Sequence, residues 1–181
     1  LCSKIFYSLL VLGFGWWLPA VGFSSTLSAT TCDRKIVEAQ RKNPKLSYLD
    51  MSIIASTHFF IPWGMVAAIA KKESGWRQQI TGRDGEIGLM QIKATTVEFL
   101  KGWHRQPRRA RLANRRRIAK WLEDPVNNIC WGARYLQLNY LMTVGLPDDI
   151  RLAFTIAGYN GGHNHTQYLI DVYLNMERNE K

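Results

Sequence analysis

From Asp33 to Asn175 the chain is a succession of short apolar-periodic segments cut by proline and glycine, with little of the strict alternation that marks a half-buried strand. Residues 33–41 and 47–57 place apolar side chains at helical spacing on either side of Asn43-Pro44. Pro62 opens the next segment, PWGMVAAIAKKES, because proline is preset for the first turn of a helix. Gly75 closes it, because glycine takes the left-handed conformation past a helix end without steric cost. Residues 76–88 are polar and glycine-rich and read as a loop, and 89–101 and 112–123 read as helices. Asp124-Pro125 starts another that runs through Met142, with Ile129, Ala133, Leu136 and Tyr140 on one face. Asp148 caps 149–157, residues 158–162 break the pattern, and the last helix spans about 166–175. No internal repeat is visible. The pattern predicts an all-α single domain with little or no β structure.

The first residues obey a different rule. Lys4 precedes an uncharged apolar run, 5–23, followed by small residues at Ala20-Val21-Gly22 and Leu27-Ser28-Ala29. This is the layout of a secretory signal, and the run is also just long enough for an uncleaved membrane anchor. The expected division is therefore 1–29 as signal or anchor and 30–181 as the working domain. Either fate puts the domain outside the cytoplasm, in the periplasm of an envelope with two membranes. About 150 residues remain, enough to bury roughly two thirds of their unfolded surface. Of the three cysteines, Cys2 falls in the leader. Cys32 and Cys130 are then an even pair in an oxidising compartment, and a disulfide between them is expected. Two buried free thiols, or a lipidated Cys32, are the alternatives. No His/Cys spacing suits zinc.

Twenty-four Lys and Arg against 14 Asp and Glu give a net charge of +10, which favours polyanionic partners without specifying a fold. The charge is concentrated in 101–120, KGWHRQPRRARLANRRRIAK, which has nine basic residues and no acid. It reads as a solvated basic surface, or more sharply as an anion-binding patch with Trp103 available for stacking or for the core.

The chemistry-bearing candidate is Glu73, at the last turn of a mostly apolar helix. The partial negative charge of a helix C-terminus disfavours a carboxylate there. An apolar cleft would add desolvation in the same direction. Lys71 and Lys72 push the opposite way, but their ends are expected to reach water, which weakens the opposition. A carboxyl kept protonated near neutral pH is what a general acid needs to protonate a glycosidic oxygen.

Four segments in order, AIAKKESGW, GEIGLMQIKATT, EDPVNNICWGARYL and IAGYNGGHN, resemble the signatures of the lytic transglycosylases with a soluble-lytic, goose-lysozyme-like catalytic domain. The resemblance covers about 46–176 and implies a lysozyme-like helical fold. By position, Glu73 matches the family's acid/base and Ser74 the residue that helps shape its site. Met90 and Gln91, in GLMQ, match the glycan groove. Tyr159 matches a tyrosine that hydrogen-bonds near the catalytic carboxyl and is expected to hold Glu73 by its hydroxyl, a buried tyrosine bonded to backbone being the alternative. Gly158 and Asn160 are its motif neighbours, and Asn128 matches a structural helix residue. Such enzymes cleave the β-1,4 bond between N-acetylmuramic acid and N-acetylglucosamine and leave a 1,6-anhydromuramoyl end. One carboxyl then suffices, because the muramoyl C6 hydroxyl replaces the water for which ordinary glycosidases need a second.

The resemblance implies peptidoglycan strands as partner, a monomer, and no cofactor or metal. It argues against nucleic acid, and it leaves membrane contact to the N-terminal segment alone. Small size and the paired cysteines further resemble members that accompany secretion and conjugation systems. Two departures stand out. Lys93 occupies a position that touches the sugar and is usually apolar or Asn, so it is expected to meet a lactyl or stem-peptide carboxylate. Gly158 and Gly161 loosen the tyrosine's turn. Asp84 and Glu86 are expected as loop surface charges. If either reached the far face of the anomeric carbon, the chain would be a goose-type hydrolase. A non-catalytic wall- or DNA-binding component of a transfer machine is the remaining alternative.

Overall fold

The computed structural model describes residues 28–179. The expected leader or anchor, apart from its last two residues, lies outside them. The described residues are all-α except for one two-stranded hairpin.

Helix α1 (Ala29–Lys42) is capped by Ser28, whose hydroxyl accepts from the Thr31 N–H. It buries Ala29, Cys32 and Ile36 along one stripe. Helix α2 (Tyr48–Phe59) opens with a reciprocal Ser47/Asp50 capping box and ends at Phe60 in the left-handed region. Helix α3 (Met65–Ser74) stops at Gly75, as the sequence predicts. The expected loop then carries strand β1 (Glu86–Ile87), which pairs antiparallel with β2 (Ile92–Lys93), Glu86 opposite Lys93 and Ile87 opposite Ile92. Helix α4 (Ala94–Leu100), a 3-10 turn at Trp103–Arg105 and helix α5 (Arg108–Trp121) follow. Helix α6 (Pro125–Met142), capped by Asp124, is the axle of the domain. It packs against α1, α2, α3, α4, β2 and both later helices. Those are α7 (Asp148–Gly161) and α8 (His163–Asn179). Ile129, Ala133 and Leu136 of α6 meet Ile36, Ala55, Phe59, Val66, Leu89 and Met90 in one continuous core. The Cys32–Cys130 disulfide joins α1 to α6 across a sequence separation of 98.

Several expectations need correction. Pro62 lies three residues before α3, which begins at Met65 after Gly64; Asp148 is the first residue of α7 and Pro147 its cap; and α8 begins at His163. Residues 89–93 are a turn and a strand rather than the start of a helix, which begins at Ala94. Helix α5 begins at Arg108, four residues earlier than expected, after Pro107. The glycines at 158 and 161 do not break α7, which continues to Gly161 and yields only at Gly162, φ +94°. Gly158 is there for a close approach instead. A Cβ on it would stand 2.6 Å from Asn139 Oδ1 and overlap the Thr166 hydroxyl, so only glycine lets α8 seat against α7 and α6.

The basic stretch is split by the fold. Arg111 and Arg115 turn inward to Glu98, whose side chain is only 1% exposed, with Arg111 Nε at 3.6 Å and Arg115 Nε hydrogen-bonded. This buried ionic group is what seats α5 on α4. Lys101 also turns inward, its ammonium over the rings of Trp103, Trp121 and Trp131 at 4.9, 5.7 and 4.8 Å. Burial lowers its pKa, and the nearby Asp33 raises it. Trp103 therefore serves the interior rather than standing free to stack. Arg108, Arg109, Arg116 and Arg117 stay exposed.

Candidate active site

A cleft of about 410 Å³ opens where the end of α3, the hairpin, α6 and the end of α7 converge. Its construction begins behind it. Asn128 of α6 is buried, and its three hydrogen bonds all go to main chain. Its Nδ2 donates to the carbonyls of Ile87 (2.8 Å) and Leu122 (2.9 Å), and its Oδ1 accepts from the Met90 N–H (2.8 Å). These bonds fix the 88–91 turn to the axle. Gly88 is required beside it, since its φ is +70° and a Cβ would lie 2.4 Å from Asn128 Nδ2. Gln91, though not glycine, also sits at positive φ (46°). Its amide donates to the carbonyls of Gly88 (2.9 Å) and Ile80 (3.3 Å), which holds the 76–88 loop against the turn.

Glu73 stands half-buried on the cleft wall, at the last turn of α3. No side chain of the described residues hydrogen-bonds or ion-pairs with it. Tyr159 lies close enough for the Glu73 charge to act on it. Burial first, then Glu73 and Tyr135, push the Tyr159 phenol well above its ordinary range, so it stays a neutral donor. Its proton, however, goes to the Met90 carbonyl at 2.7 Å. The expected clasp of this hydroxyl on Glu73 is therefore replaced by a buried bond to backbone, because the 88–91 turn puts that carbonyl within reach. Tyr159 fixes the turn beside Glu73, and the turn fixes Tyr159.

The opposite wall is the hairpin. Lys93 Nζ meets Glu86 at 2.9 Å and Asp84 at 4.0 Å. The Lys93 hydrogen bond holds Glu86 below the usual carboxylate range, and Glu86 in turn raises Lys93. Asp84 is a solvent-facing loop charge, but Glu86 lines the cleft and is neutralised there. Lys93 thus has an acidic partner within its own hairpin, where the sequence reading assigned it to a substrate carboxylate.

Of the expected site residues, Glu73, Gln91, Lys93, Tyr159 and Asn160 share this cleft. Ser74, Met90 and Gly158 lie behind it. The Ser74 hydroxyl donates to the Ala70 carbonyl, Met90 is fully buried, and Gly158 faces α8. Sequence reasoning missed Thr96 and Tyr135 as lining residues. Tyr135 tilts against Tyr159 with ring centroids 5.5 Å apart. Its presence within GARYL, one of the quoted segments, was the available signal. The arrangement offers one unpaired carboxyl facing a walled groove, with the second acid already tied to a cation. Such a set suits proton donation to, and recovery from, a bound sugar.

The profile of the Transglycosylase SLT domain family matches residues 50–176. The chain is 32% identical over 127 residues to membrane-bound lytic murein transglycosylase F of Yersinia pestis (strain Pestoides F), covering 66% of this chain and 23% of that protein. It is 35% identical over 106 residues to the protein of that name in Serratia proteamaculans (strain 568), covering 58% and 18%. In Cellvibrio japonicus (strain Ueda107) the figures are 30% over 142 residues, 76% and 25%. The chain thus spans a quarter or less of the length of these curated relatives. With the profile covering most of the sequence and its segments enclosing the cleft, the chain belongs to the Transglycosylase SLT domain family.

Proposed function

We propose that the chain is a peptidoglycan lytic transglycosylase that cuts the N-acetylmuramoyl-β-1,4-N-acetylglucosamine bond. The single observation that carries this reading is the isolation of Glu73 in a cleft whose other carboxylate, Glu86, is paired with Lys93. Glu73 gives its proton to the glycosidic oxygen as the bond to the anomeric carbon breaks. As carboxylate it then takes the proton of the muramoyl C6 hydroxyl, whose oxygen closes the 1,6-anhydro ring. The substrate's N-acetyl oxygen steadies the cationic carbon between these steps. No water enters, and proximity of the internal nucleophile replaces a second catalytic acid.

The domain acts outside the cytoplasm after export by residues 1–29, as a monomer without cofactor. It opens the wall locally for a secretion or conjugation apparatus. The apolar leader sequence and the +10 charge, opposite an acidic wall, support that placement. One observation favours a second reading. Glu86 shares the cleft, and were Lys93 drawn away by a bound glycan it would be free to activate water. Digestion of purified sacculi by the full chain separates the two, with products weighed by mass spectrometry. The expected ends are anhydro, lighter by one water than hydrolysed ends. Hydrated ends alone would transfer the assignment to a goose-type hydrolase, and no cleavage would remove both.

A further inference from the structure

The loop between α2 and α3 displays two large aromatics to water. Phe60 is 76% exposed and Trp63 is 72% exposed. The loop is held firmly from below. Phe59 is buried and its carbonyl accepts from the Gln137 amide at 2.7 Å. Ile61 is buried and its N–H donates to the Ser56 carbonyl at 3.1 Å, and the Met65 N–H closes on the Pro62 carbonyl at 2.9 Å. The outward placement of Phe60 and Trp63 is therefore built into the backbone. It is also unfavourable twice over in water. Phe60 caps α2 at φ +53°, where a side chain costs about 1–2 kcal/mol and glycine is usual. Two exposed aromatics on one short loop then leave apolar surface uncovered.

What lies next to this loop identifies its occupant. The backbone of Ser28, where the described chain begins, is tied to α2 near its end. His58 Nε2 is 3.2 Å from the Ser28 carbonyl and 3.3 Å from Thr31 Oγ1. His58 is two residues from Phe60. Burial, opposed by the Ser28 carbonyl and assisted by the Lys35 charge, keeps this imidazole below its ordinary pKa. Upstream of Ser28, the uncharged apolar run ends at Phe23. Five residue steps separate the two, a reach of at most about 18 Å. Ser28 caps α1 and Ala29 is 2% exposed, so a cut after Ala29 would remove part of the folded body. Processing therefore belongs upstream, and a retained apolar segment would join the folded body at this end of the domain.

We propose that Phe60 and Trp63 form an interfacial anchor that seats this end of the domain on the lipid bilayer from which the N-terminal segment emerges. Tryptophan and phenylalanine at headgroup depth bury their apolar rings while the loop's peptide groups and Lys35 remain hydrated. Contact is thus extended from the N-terminal segment to the folded body, and the domain is held in one orientation. This does not rest on the catalytic reading, and its test uses no catalytic readout.

The full chain is reconstituted into vesicles of phosphatidylethanolamine with a minority of phosphatidylglycerol, with plain acyl chains or with chains brominated near the headgroup. Subtracting the emission of Trp63→Phe from that of the unaltered chain isolates Trp63 from the other tryptophans. The Trp63 component is expected to fall about twofold or more in brominated vesicles. Equal Trp63 emission in both vesicles overturns the proposal. So does a Trp63 emission that shifts with protein concentration in the absence of lipid, which would assign the loop to a second copy. Circular dichroism of Trp63→Phe verifies that the subtraction compares two folded chains.

Discussion

The cleft side and the basic side of the molecule both bury polar groups, by opposite means. Behind the cleft the buried groups are neutral. Asn128 binds three main-chain atoms, Tyr159 binds the Met90 carbonyl, and the Thr166 hydroxyl donates to Asn139 Oδ1 at 2.7 Å. Across α4 and α5 they are charged: Glu98 with Arg111 and Arg115, and Lys101 among three tryptophans with Asp33 nearby. Neutral amides hold one geometry whatever the pH or salt. Buried charges hold theirs only while each partner keeps its proton state, and losing one partner strands the other. The difference teaches where tolerance lies. The frame behind the cleft rests on the insensitive side, and the solvent-sensitive side carries the surface.

The largest effect should come from the cleft without touching the scaffold. Glu73→Gln is expected to lower clearing of a sacculus suspension by about a thousandfold or more, with urea unfolding unchanged. A parallel loss of stability would show that the carboxyl also holds the fold, and would erase the division between site and support.

Next is the ionic side. Replacing both Arg111 and Arg115 by Met leaves Glu98 buried and unpaired, and should cost about 3 kcal/mol in urea unfolding. Adding Glu98→Leu should recover most of it. Asn128→Ala is expected to cost about 2 kcal/mol. Added salt should change the arginine result and leave the asparagine result where it was. Equal salt responses would break the comparison.

A smaller effect depends on pH. Asp33 is raised from 3.8 to about 7, first by burial and then by Asp124, against the pull of Lys101. One of its oxygens is buried without a hydrogen-bond partner. The folded chain therefore binds this proton more tightly than the unfolded one. The stability it contributes is complete below about pH 4 and is lost as pH rises to 7. Asp33→Asn should gain about 1–2 kcal/mol at pH 8, after allowance for partial solvent screening, and nothing at pH 4. Thermal melts across that range decide it.

The smallest effect sharpens the role of the phenol. Tyr159→Phe removes one buried bond to backbone, worth about 1 kcal/mol, and should slow cleavage less than about tenfold. A loss as large as that of Glu73→Gln would reinstate the hydroxyl as the direct partner of the acid.

Much of this could be read from the residues. Gly75 ends α3, and hence placed Glu73, because its freedom to take positive φ is stated outright by the local sequence, whereas the start of the helix at Met65 lies three residues past Pro62. The 89–93 stretch was misread because two-residue strands carry no period, and Leu89, Met90 and Ile92 satisfy a helical spacing equally well. The inward turn of Arg111 and Arg115 depends on Glu98, outside the basic stretch, and charge counting alone made all nine cations look solvated. Gly158 read as a break because glycine's freedom is visible in sequence, whereas the Thr166 that needs the space is not. Nothing in the sequence singles out Phe60 and Trp63, since exposure belongs to the assembled fold.

The bond between Cys32 and Cys130 has a mechanical consequence. Tension applied to the start of the chain meets α1 first. Without a cross-link that helix would peel away turn by turn, each contact failing alone. With it, the load passes straight into α6, and the axle of the domain must shear as a whole before the cleft is disturbed.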